Sequence, residues 1–266
     1  MPPIGHGHLR RCVSPRADQG RQKGQVESEH PHSLGEVHRG RTYPVTWRIL
    51  GPMPPTFVAL LPTPDQQPSI AARERVAAQS AAARRALKLA AREAGCPEMV
   101  FHKSDDVPQP WQGWHWSVSH DDTWVLGALA RAPLGVDLER ITLRRAALRE
   151  AVLNEDERAL LGEVDALGFT RLWTAKEAVL KAAGVGLTRL SHCRLSATPS
   201  PTLTQAGEPA GPALPMFLDG EAAPVLQFRW HDHLLALHIQ GGEESLTWVL
   251  PSPQGVSCQE PQDHVT

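Results

Sequence analysis

A predicted helix from Phe169 to Leu187 constrains the fold most, because it places a charge where a packing helix carries apolar side chains. At 3.6 residues per turn, Lys176 falls inside the apolar stripe of this helix. A lysine on a core-facing stripe must extend its ammonium to water or meet a buried anion, since an unpaired buried ammonium is costly. The apolar residues of the stripe are Phe169, Leu172, Val179, Leu180 and Ala183.

The margin of the same helix carries three further side chains. Trp173, Glu177 and Lys181 follow one another at intervals of four residues. Two interpretations are open: a functional site, or a surface helix whose Glu177 and Lys181 form an ion pair that contributes about 0.3 to 0.5 kcal/mol. Gly184 and Gly186 follow and predict the end of the helix.

An acidic segment lies upstream of this helix. The stretch from Thr123 to Arg140, TWVLGALARAPLGVDLER, predicts two short strands around a turn at 131–133. In the second strand, Asp137 and Glu139 point to the same face, with their carboxylates about 6 to 7 Å apart. Like charges this close resist joint ionisation unless a cation lies between them. With Glu177 they form a set of hard oxygen ligands that suits Mg²⁺, although an exposed strand end is the simpler interpretation of this pair alone.

Three blocks in this order resemble one enzyme family. They are WSVSH at 116–120, GVDLE at 135–139, and WTAKEAVLK at 173–181 followed by GVGL at 184–187. Together they resemble the 4′-phosphopantetheinyl transferases of the double-length type, in which one chain acts as a pseudo-dimer. The resemblance covers these blocks directly and the flanking layout of helices and strands more loosely.

The order of predicted elements indicates an α+β fold, with a strand, a helix and strands followed by helices and strands again. The resemblance implies two similar α+β halves, 45–133 and 134–250, related by a pseudo-two-fold axis with the active site in the cleft between them. It also implies a monomer. Residues 1–44 are rich in Gly, His, Arg, Pro and Ser without hydrophobic periodicity, so we predict a disordered tail there, and a second tail at 251–266.

The resemblance implies a Mg²⁺-dependent transfer of the 4′-phosphopantetheine group of coenzyme A to a serine of an apo acyl or peptidyl carrier protein. Adenosine 3′,5′-bisphosphate would be released. Asp137, Glu139 and Glu177 are the expected ligands of Mg²⁺. The residues expected to act in catalysis are Glu177, Lys181 and Lys176. Those expected to bind coenzyme A as co-substrate are Ser119, His120, Arg84, Arg85 and Lys181.

The sequence departs from the family pattern at two positions. The family carries Gly-Lys-Pro before its Ser-His block, whereas this chain has Asp106-Val107-Pro108. Lys103 lies nearby at a different spacing and is not assigned to the missing role. Ser80 stands where the family has an additional arginine on the helix that binds the 3′-phosphate. These departures concern nucleotide affinity more than the chemistry.

Composition excludes several classes of protein. A net charge of −2 and an isoelectric point near 6.7 argue against a general binder of nucleic acid or membrane surfaces. The four cysteines are widely spaced without the spacing of a zinc site, which indicates a reducing compartment, and we expect a cytoplasmic protein. Arg144, Arg145 and Arg149 predict a basic ridge suited to an acidic partner.

Two other functions remain open from the sequence. One is a module that binds carrier proteins on the same fold without transferring a group. The other is a metal-dependent phosphatase that uses the same acids, for which no nucleophile motif is present. If the acids form a metal site, repulsion between them predicts that Asp137→Asn leaves the metal-free fold equally or more stable.

Overall fold

The computed structural model describes residues 55–63, 72–241 and 245–251, all within one unit of the chain. The helices within these ranges are α1 (Ala72–Glu93), α2 (Ala146–Val152), α3 (Glu155–Leu161) and α4 (Ala166–Ala183), followed by a 3₁₀ helix (Gly186–His192). The strands are β1 (Thr56–Pro62), β2 (Lys103–Ser104), β3 (Val107–Pro108), β4 (His115–His120), β5 (Trp124–Ala130), β6 (Leu134–Arg140), β7 (Cys193–Leu195), β8 (Thr204–Gln205), β9 (Met216–Leu218), β10 (Glu221–Ala222), β11 (Val225–Trp230), β12 (His233–Ile239) and β13 (Leu246–Val249). The α+β prediction is confirmed.

Two four-stranded sheets carry most of the structure. The first has the order β13-β1-β5-β4, and the second has the order β6-β12-β11-β8. In the second sheet β6 runs antiparallel to β12, with Asp137 opposite Ala236 and Glu139 opposite Leu234. Smaller sheets are formed by β10, β9 and β7, and by the hairpin of β2 and β3.

The sequence predicted β5 and β6 as strands around a turn, and both are present, but they do not pair as a hairpin. Strand β5 is hydrogen-bonded on one edge to β1 and on the other to β4, so neither edge is free for β6. Strand β6 therefore pairs with β12 in the second sheet. The two sheets touch where the amide of Val136 donates a hydrogen bond to Ser117 Oγ at 3.1 Å.

Residue alternation along the strands places one hydrophobic cluster between the two sheets and one under each long helix. Val58 and Leu60 of β1 belong to the cluster that also contains Val136 and Leu138 of β6. Their neighbours on the other face of β1 pack with α1 instead. The third cluster lies around α4 and includes Phe169, Leu172, Val179 and Leu180.

Each long helix approaches its sheet at a glycine. A Cβ atom on Gly127 of β5 would lie 2.9 Å from the backbone nitrogen of Leu87 in α1. A Cβ atom on Gly135 of β6 would lie only 1.9 Å from the carbonyl oxygen of Ala178 in α4. The backbones of helix and strand thus come close at both positions. The pseudo-two-fold relation between the halves stays a prediction.

Helix α4 ends at Ala183 with Gly184 as its C-cap, as the glycine signal predicted, although it begins at Ala166, three residues before the predicted start. Asn154 caps α3 in a capping box with Glu157. The last strand, β13, was assigned by the sequence to the second half, yet it pairs in parallel with β1 of the first sheet. The predicted tail 1–44 and the C-terminal tail beyond Pro251 lie outside the described residues. None of the described helices is both long and apolar enough to cross a membrane.

Candidate active site

The three sequence blocks meet at the ammonium group of Lys181. Its Nζ lies 2.7 Å from Asp137 Oδ1, 3.2 Å from the carbonyl oxygen of Val136 and 3.5 Å from Ser119 Oγ. Ser119 Oγ also donates to Asp137 Oδ1 at 2.8 Å. A strand of the first sheet, a strand of the second and helix α4 each contribute one of these side chains.

Asp137 is the most buried acid of this group, with 4% of its surface exposed. Its Oδ1 accepts hydrogen bonds from both Lys181 and Ser119. Its Oδ2 is also buried, but it has no hydrogen-bond partner within the described part of the chain. A buried carboxylate oxygen without a partner is costly, so this atom is suited to a further cation or donor.

Glu139 lies on the same face of β6 as Asp137, as strand alternation predicted, and both acids contact α4. Trp173 Nε1 donates to Glu139 Oε1 at 3.1 Å, and Arg144 pairs with the other oxygen. Burial raises the pKa of Glu139, the negative charge of Asp137 adds to the increase, and Arg144 opposes it.

Glu177 lies between Trp173 and Lys181 on the margin of α4, and all three are half-buried. Burial raises the pKa of Glu177; Lys181 opposes the increase, whereas the charges of Asp137 and Glu139 add to it. The three carboxyl groups therefore lie within electrostatic reach of one another.

The acids fit a divalent cation by their chemistry. Carboxylate oxygens are the preferred ligands of Mg²⁺, and the buried, unpartnered Oδ2 of Asp137 has two neighbouring carboxyl groups whose pKa values are raised by burial and by the charges of the other acids. As the side chains stand, no three His, Cys, Asp or Glu residues in the described ranges surround one common point.

A cavity of about 420 Å³ opens between α1 and β4. Arg84, Lys103 and His120 supply polar groups to its wall, and Phe101 and Trp116 supply aromatic ones. A neighbouring cavity of about 350 Å³ shares Lys103 and extends to Lys181. The wall of this second cavity also carries the acids Asp105 and Asp106, so its charges are of both signs.

His120 lies at the end of β4, in the wall of the cavity that Arg84 also lines. Burial lowers its pKa, the positive charge of Lys181 lowers it further, and Asp121 opposes the decrease. Because its ordinary value is 6.5, the imidazole is neutral at pH 7. It can donate or accept a hydrogen bond with a phosphate oxygen, but it contributes little positive charge there.

A sequence model of the 4′-phosphopantetheinyl transferase superfamily matches residues 133–236. This segment is similar in sequence to that superfamily. The match contains β6 with Asp137 and Glu139, and α4 with Glu177 and Lys181. The similarity to the superfamily therefore includes the elements that build the acidic part of the site.

Three relatives carry the same enzyme name. The chain is 31% identical over 98 residues to 4′-phosphopantetheinyl transferase gsp of Aneurinibacillus migulanus, covering 34% of this chain and 40% of the relative. It is 36% identical over 77 residues to psf-1 of Bacillus pumilus, covering 27% and 33% of the two chains. It is 32% identical over 77 residues to ffp of Bacillus subtilis, covering 27% and 34%. The matched segment thus spans less than half the length of each curated relative.

Lys176 is not among the residues that meet at the ammonium group of Lys181. Its side chain is 1% exposed, and its Nζ lies 2.8 Å from Glu157 Oε2 and 2.7 Å from the carbonyl oxygen of Val152. The alternative that a core-facing lysine meets a buried anion is what the structure shows. Lys176 is engaged in the core around α4, which argues against the predicted role in stabilising developing charge.

The two arginines of α1 that were expected to bind coenzyme A lie in different surroundings. Arg84 lines the cavity near His120, whereas Arg85 is exposed and is not among the lining residues of that cavity. Lys103, which sequence reasoning left unassigned, lines both cavities because the hairpin of β2 and β3 carries it there. Its spacing from the Ser-His block differs from the family pattern, so the motif gave no signal for it.

The predicted basic ridge is reduced by internal pairing. Arg144 is bound to Glu139, and Arg149 donates to the carbonyl oxygen of Val164 at 3.2 Å. Arg145 is exposed beside Leu143 and Leu148, whose exposed fractions are 67% and 37%. The surface next to the acidic site therefore combines one exposed cation with apolar side chains.

Proposed function

We propose that this protein transfers the 4′-phosphopantetheine group of coenzyme A to a serine of an apo acyl or peptidyl carrier protein and releases adenosine 3′,5′-bisphosphate. One observation carries the proposal: the unpartnered carboxylate oxygen of Asp137 and the ammonium of Lys181 lie together, and Lys181 lines a cavity that shares Lys103 with the cavity of Arg84 and His120. A diphosphate needs both a metal site and fixed positive charges, and this site offers residues for each.

The reaction exchanges one phosphorus–oxygen bond for another. The serine hydroxyl oxygen of the carrier attacks the phosphorus atom of the diphosphate that bears the pantetheine arm. The bond from that phosphorus to the bridging oxygen breaks, and the bridging oxygen leaves with adenosine 3′,5′-bisphosphate. The serine proton must pass to a base. Positioning and electrostatic stabilisation of the phosphate oxygens supply the catalysis.

Glu177 is the residue we assign to the serine proton, directly or through a water that it orients. Burial raises the pKa of its carboxyl group, which makes the carboxylate a stronger base than an exposed glutamate. It lies one helical turn from Lys181 on the same margin of α4. The base and the cation that faces the phosphate are therefore held by one rigid element.

Asp137, Glu139 and Glu177 are the residues that would hold Mg²⁺. When bound, Mg²⁺ would neutralise the diphosphate and polarise its phosphorus–oxygen bonds. Lys181 provides a fixed positive charge beside Asp137, and Ser119 Oγ provides a donor next to both. Arg84, Lys103 and His120 are the side chains placed to bind the nucleotide part of coenzyme A in the larger cavity.

The proposed partner is a carrier protein with acidic residues around its serine. Arg145 offers it a positive charge, and the exposed Leu143 and Leu148 offer it apolar contact. The proposed enzyme acts as a monomer with coenzyme A as co-substrate. We place it in the cytoplasm, in keeping with Cys96 and Cys193, which are free thiols in the structure.

The test is a mass measurement on the carrier. Apo acyl and peptidyl carriers are incubated with the full chain, coenzyme A and Mg²⁺, and the carrier is weighed by mass spectrometry. A gain of one phosphopantetheine group is expected, and Glu177→Gln should nearly abolish it. Carriers that bind the chain but keep their mass would identify the alternative, a binding module without transferase activity.

A further inference from the structure

A histidine outside the acidic site connects the two sheets next to it. His233 is the first residue of β12, and none of its surface is exposed. Its Nε2 lies 2.6 Å from Asp121 Oδ2, and its Nδ1 lies 2.8 Å from Asp232 Oδ1 without hydrogen-bond geometry. Because an ionised carboxylate can only accept a hydrogen bond, Nε2 carries the proton and donates the hydrogen bond to Asp121.

Asp121 gathers several elements of the first sheet. Its Oδ1 accepts the amides of Thr123 and Trp124 at 2.7 and 2.8 Å. Its carbonyl oxygen accepts Thr63 Oγ1 at 3.1 Å and Gln79 Nε2 of α1 at 3.4 Å. Burial would raise the pKa of Asp121, but the bonds from His233 and the two amides hold it below its ordinary value. The hydrogen bonds of this junction, by which we mean Asp121, His233 and the groups bonded to Asp121, therefore stabilise the ionised form of Asp121.

The bond between Asp121 and His233 lies between the residues expected to bind the nucleotide and the acidic strand β6. Asp121 directly follows His120, so the hydrogen bond to His233 fixes the residue next to an expected phosphate contact. On the other side, His233 stands opposite Arg140 on β6, the strand that carries Asp137 and Glu139. The charge of Asp121 contributes to the raised pKa of Glu139, in agreement with this proximity.

We propose that His233 is a positioning residue for the transfer reaction, an inference that rests on the proposed function. Its bond to Asp121 holds the turn that carries His120 against the acidic strand, so that the nucleotide contacts of one sheet and the carboxylates of the other keep their separation. His233 touches neither proposed metal ligands nor substrate. Its effect passes through Asp121.

Two isosteric variants separate this role from a general loss of stability. His233→Gln places an amide N–H near the position of Nε2 and can still donate to Asp121, whereas the shorter His233→Asn places its amide near Nδ1 and cannot. Arg140→Gln is the control, since Arg140 also joins the two sheets, by an exposed bond of 2.6 Å to Thr123 Oγ1. Asp121→Ala removes the same bond from the other partner if a His233 variant does not fold.

We expect His233→Asn and Asp121→Ala to raise the KM for coenzyme A and to lower kcat/KM about ten-fold, because small displacements of positioned groups are costly. His233→Gln and Arg140→Gln should stay within about three-fold of the unmutated chain. A purely structural role would lower kcat with the active fraction and leave KM unchanged. Equal KM values for His233→Asn, His233→Gln and the unmutated chain would overturn the inference.

A second readout does not depend on transfer. Amide hydrogen exchange of Thr123 and Trp124 should accelerate in His233→Asn and stay slow in His233→Gln, since both amides are bound to Asp121. If the unmutated chain modifies no carrier, the proposed function fails while this exchange still reports on the junction. Unchanged exchange in both variants would show that His233 does not hold the turn.

Discussion

Lys181 Nζ lies 2.7 Å from Asp137 Oδ1, so the cation at the end of α4 faces the buried acid of β6. The side chain of Asp137 is 5% exposed and that of Lys181 is 32% exposed. The sequence left open a surface pair between Glu177 and Lys181, and in the described residues Lys181 pairs with Asp137 instead. This contact joins the helix to the acidic strand and defines the centre of the proposed site.

Lys181→Met is expected to impair activity far more than the matched variant Lys176→Met. Replacing Lys181 leaves the charge of Asp137 without its partner, which should lower the free energy of unfolding by about 1 to 3 kcal/mol. Transfer should fall at least about a hundred-fold, because a fixed charge beside the phosphate is lost. Urea denaturation and initial rates measure the two quantities.

Lys176→Met should lower the stability of the fold more than the activity of the folded protein. It leaves the fully buried Glu157 unpaired, and breaking a buried pair in this way costs about 3 to 5 kcal/mol. The fraction that remains folded should retain its activity, because Lys176 is bonded to Glu157 in the core and not to the proposed metal ligands. A large loss of activity per folded molecule would indicate that Lys176 does act in catalysis.

Glu177→Gln and Asp137→Asn should change stability in opposite directions when metal is removed by a chelator. The structure changes the sequence-based expectation for Asp137, since Asp137→Asn removes the anion that faces Lys181 and should destabilise the fold. Glu177 has a raised pKa in the fold, so Glu177→Gln should stabilise it at neutral pH. Thermal denaturation in chelator compares the two variants.

The pH dependence of stability gives the same prediction a definite sign. Because the folded pKa of Glu177 is raised, the native state binds its proton more tightly than the unfolded state does. The free energy of unfolding should therefore fall as pH rises from the ordinary glutamate value of 4.5 through the raised value. Glu177→Gln should remove part of this dependence, and an unchanged profile would contradict the assigned environment of Glu177.

Periodicity predicted much of the site because strand and helix geometry act locally. It placed Asp137 and Glu139 on one face of a strand and Lys181 on the margin of a helix, and it left Lys176 either extended to water or paired with a buried anion. It did not identify Glu157 as that anion, because the pairing depends on how α3 packs against α4. Nor did it predict that β5 and β6 join different sheets, since alternation shows which face is buried but not which strand is the neighbour.

The nucleotide site was predicted less well for a similar reason. Arg84 and Arg85 are adjacent in sequence, and only the orientation of α1 decides that Arg84 lines the cavity. Lys103 reaches the same wall through the register of a two-residue hairpin strand, which no sequence motif specifies. Residues placed by tertiary packing rather than by local geometry are the ones that the sequence did not assign.

Arg84→Ala and Lys103→Ala are each expected to weaken the binding of coenzyme A. Loss of one charged contact to a phosphate should cost about 1.5 to 3 kcal/mol, or roughly ten- to a hundred-fold in affinity. Arg85→Ala is the matched control, since Arg85 is exposed on the same helix outside the lining of this cavity. Calorimetry with coenzyme A and its 3′-dephospho form measures the difference. Equal loss in all three variants would indicate a diffuse charge effect instead of a defined site.

Gly135→Ala should severely destabilise the protein. The added Cβ would lie 1.9 Å from the carbonyl oxygen of Ala178 and 2.6 Å from the amide nitrogen of Ala182, so α4 must move away from β6. A loss of about 3 kcal/mol or more is expected, as for other overpacked sites. Gly168→Ala serves as the control, because its nearest contact would be a side-chain oxygen of Asp165 at 3.2 Å. Similar unfolding midpoints for the two variants would contradict the close packing of α4 on β6.

The most direct test of the proposed function is to count both products of the reaction in one experiment. The full chain is incubated with coenzyme A, Mg²⁺ and an apo carrier, and the modified carrier and adenosine 3′,5′-bisphosphate are quantified over time. We predict that the two appear in equal amounts and that both are lost with Lys181→Met. Release of the bisphosphate without modification of the carrier, or of free phosphate alone, would indicate a hydrolase and contradict the proposed function.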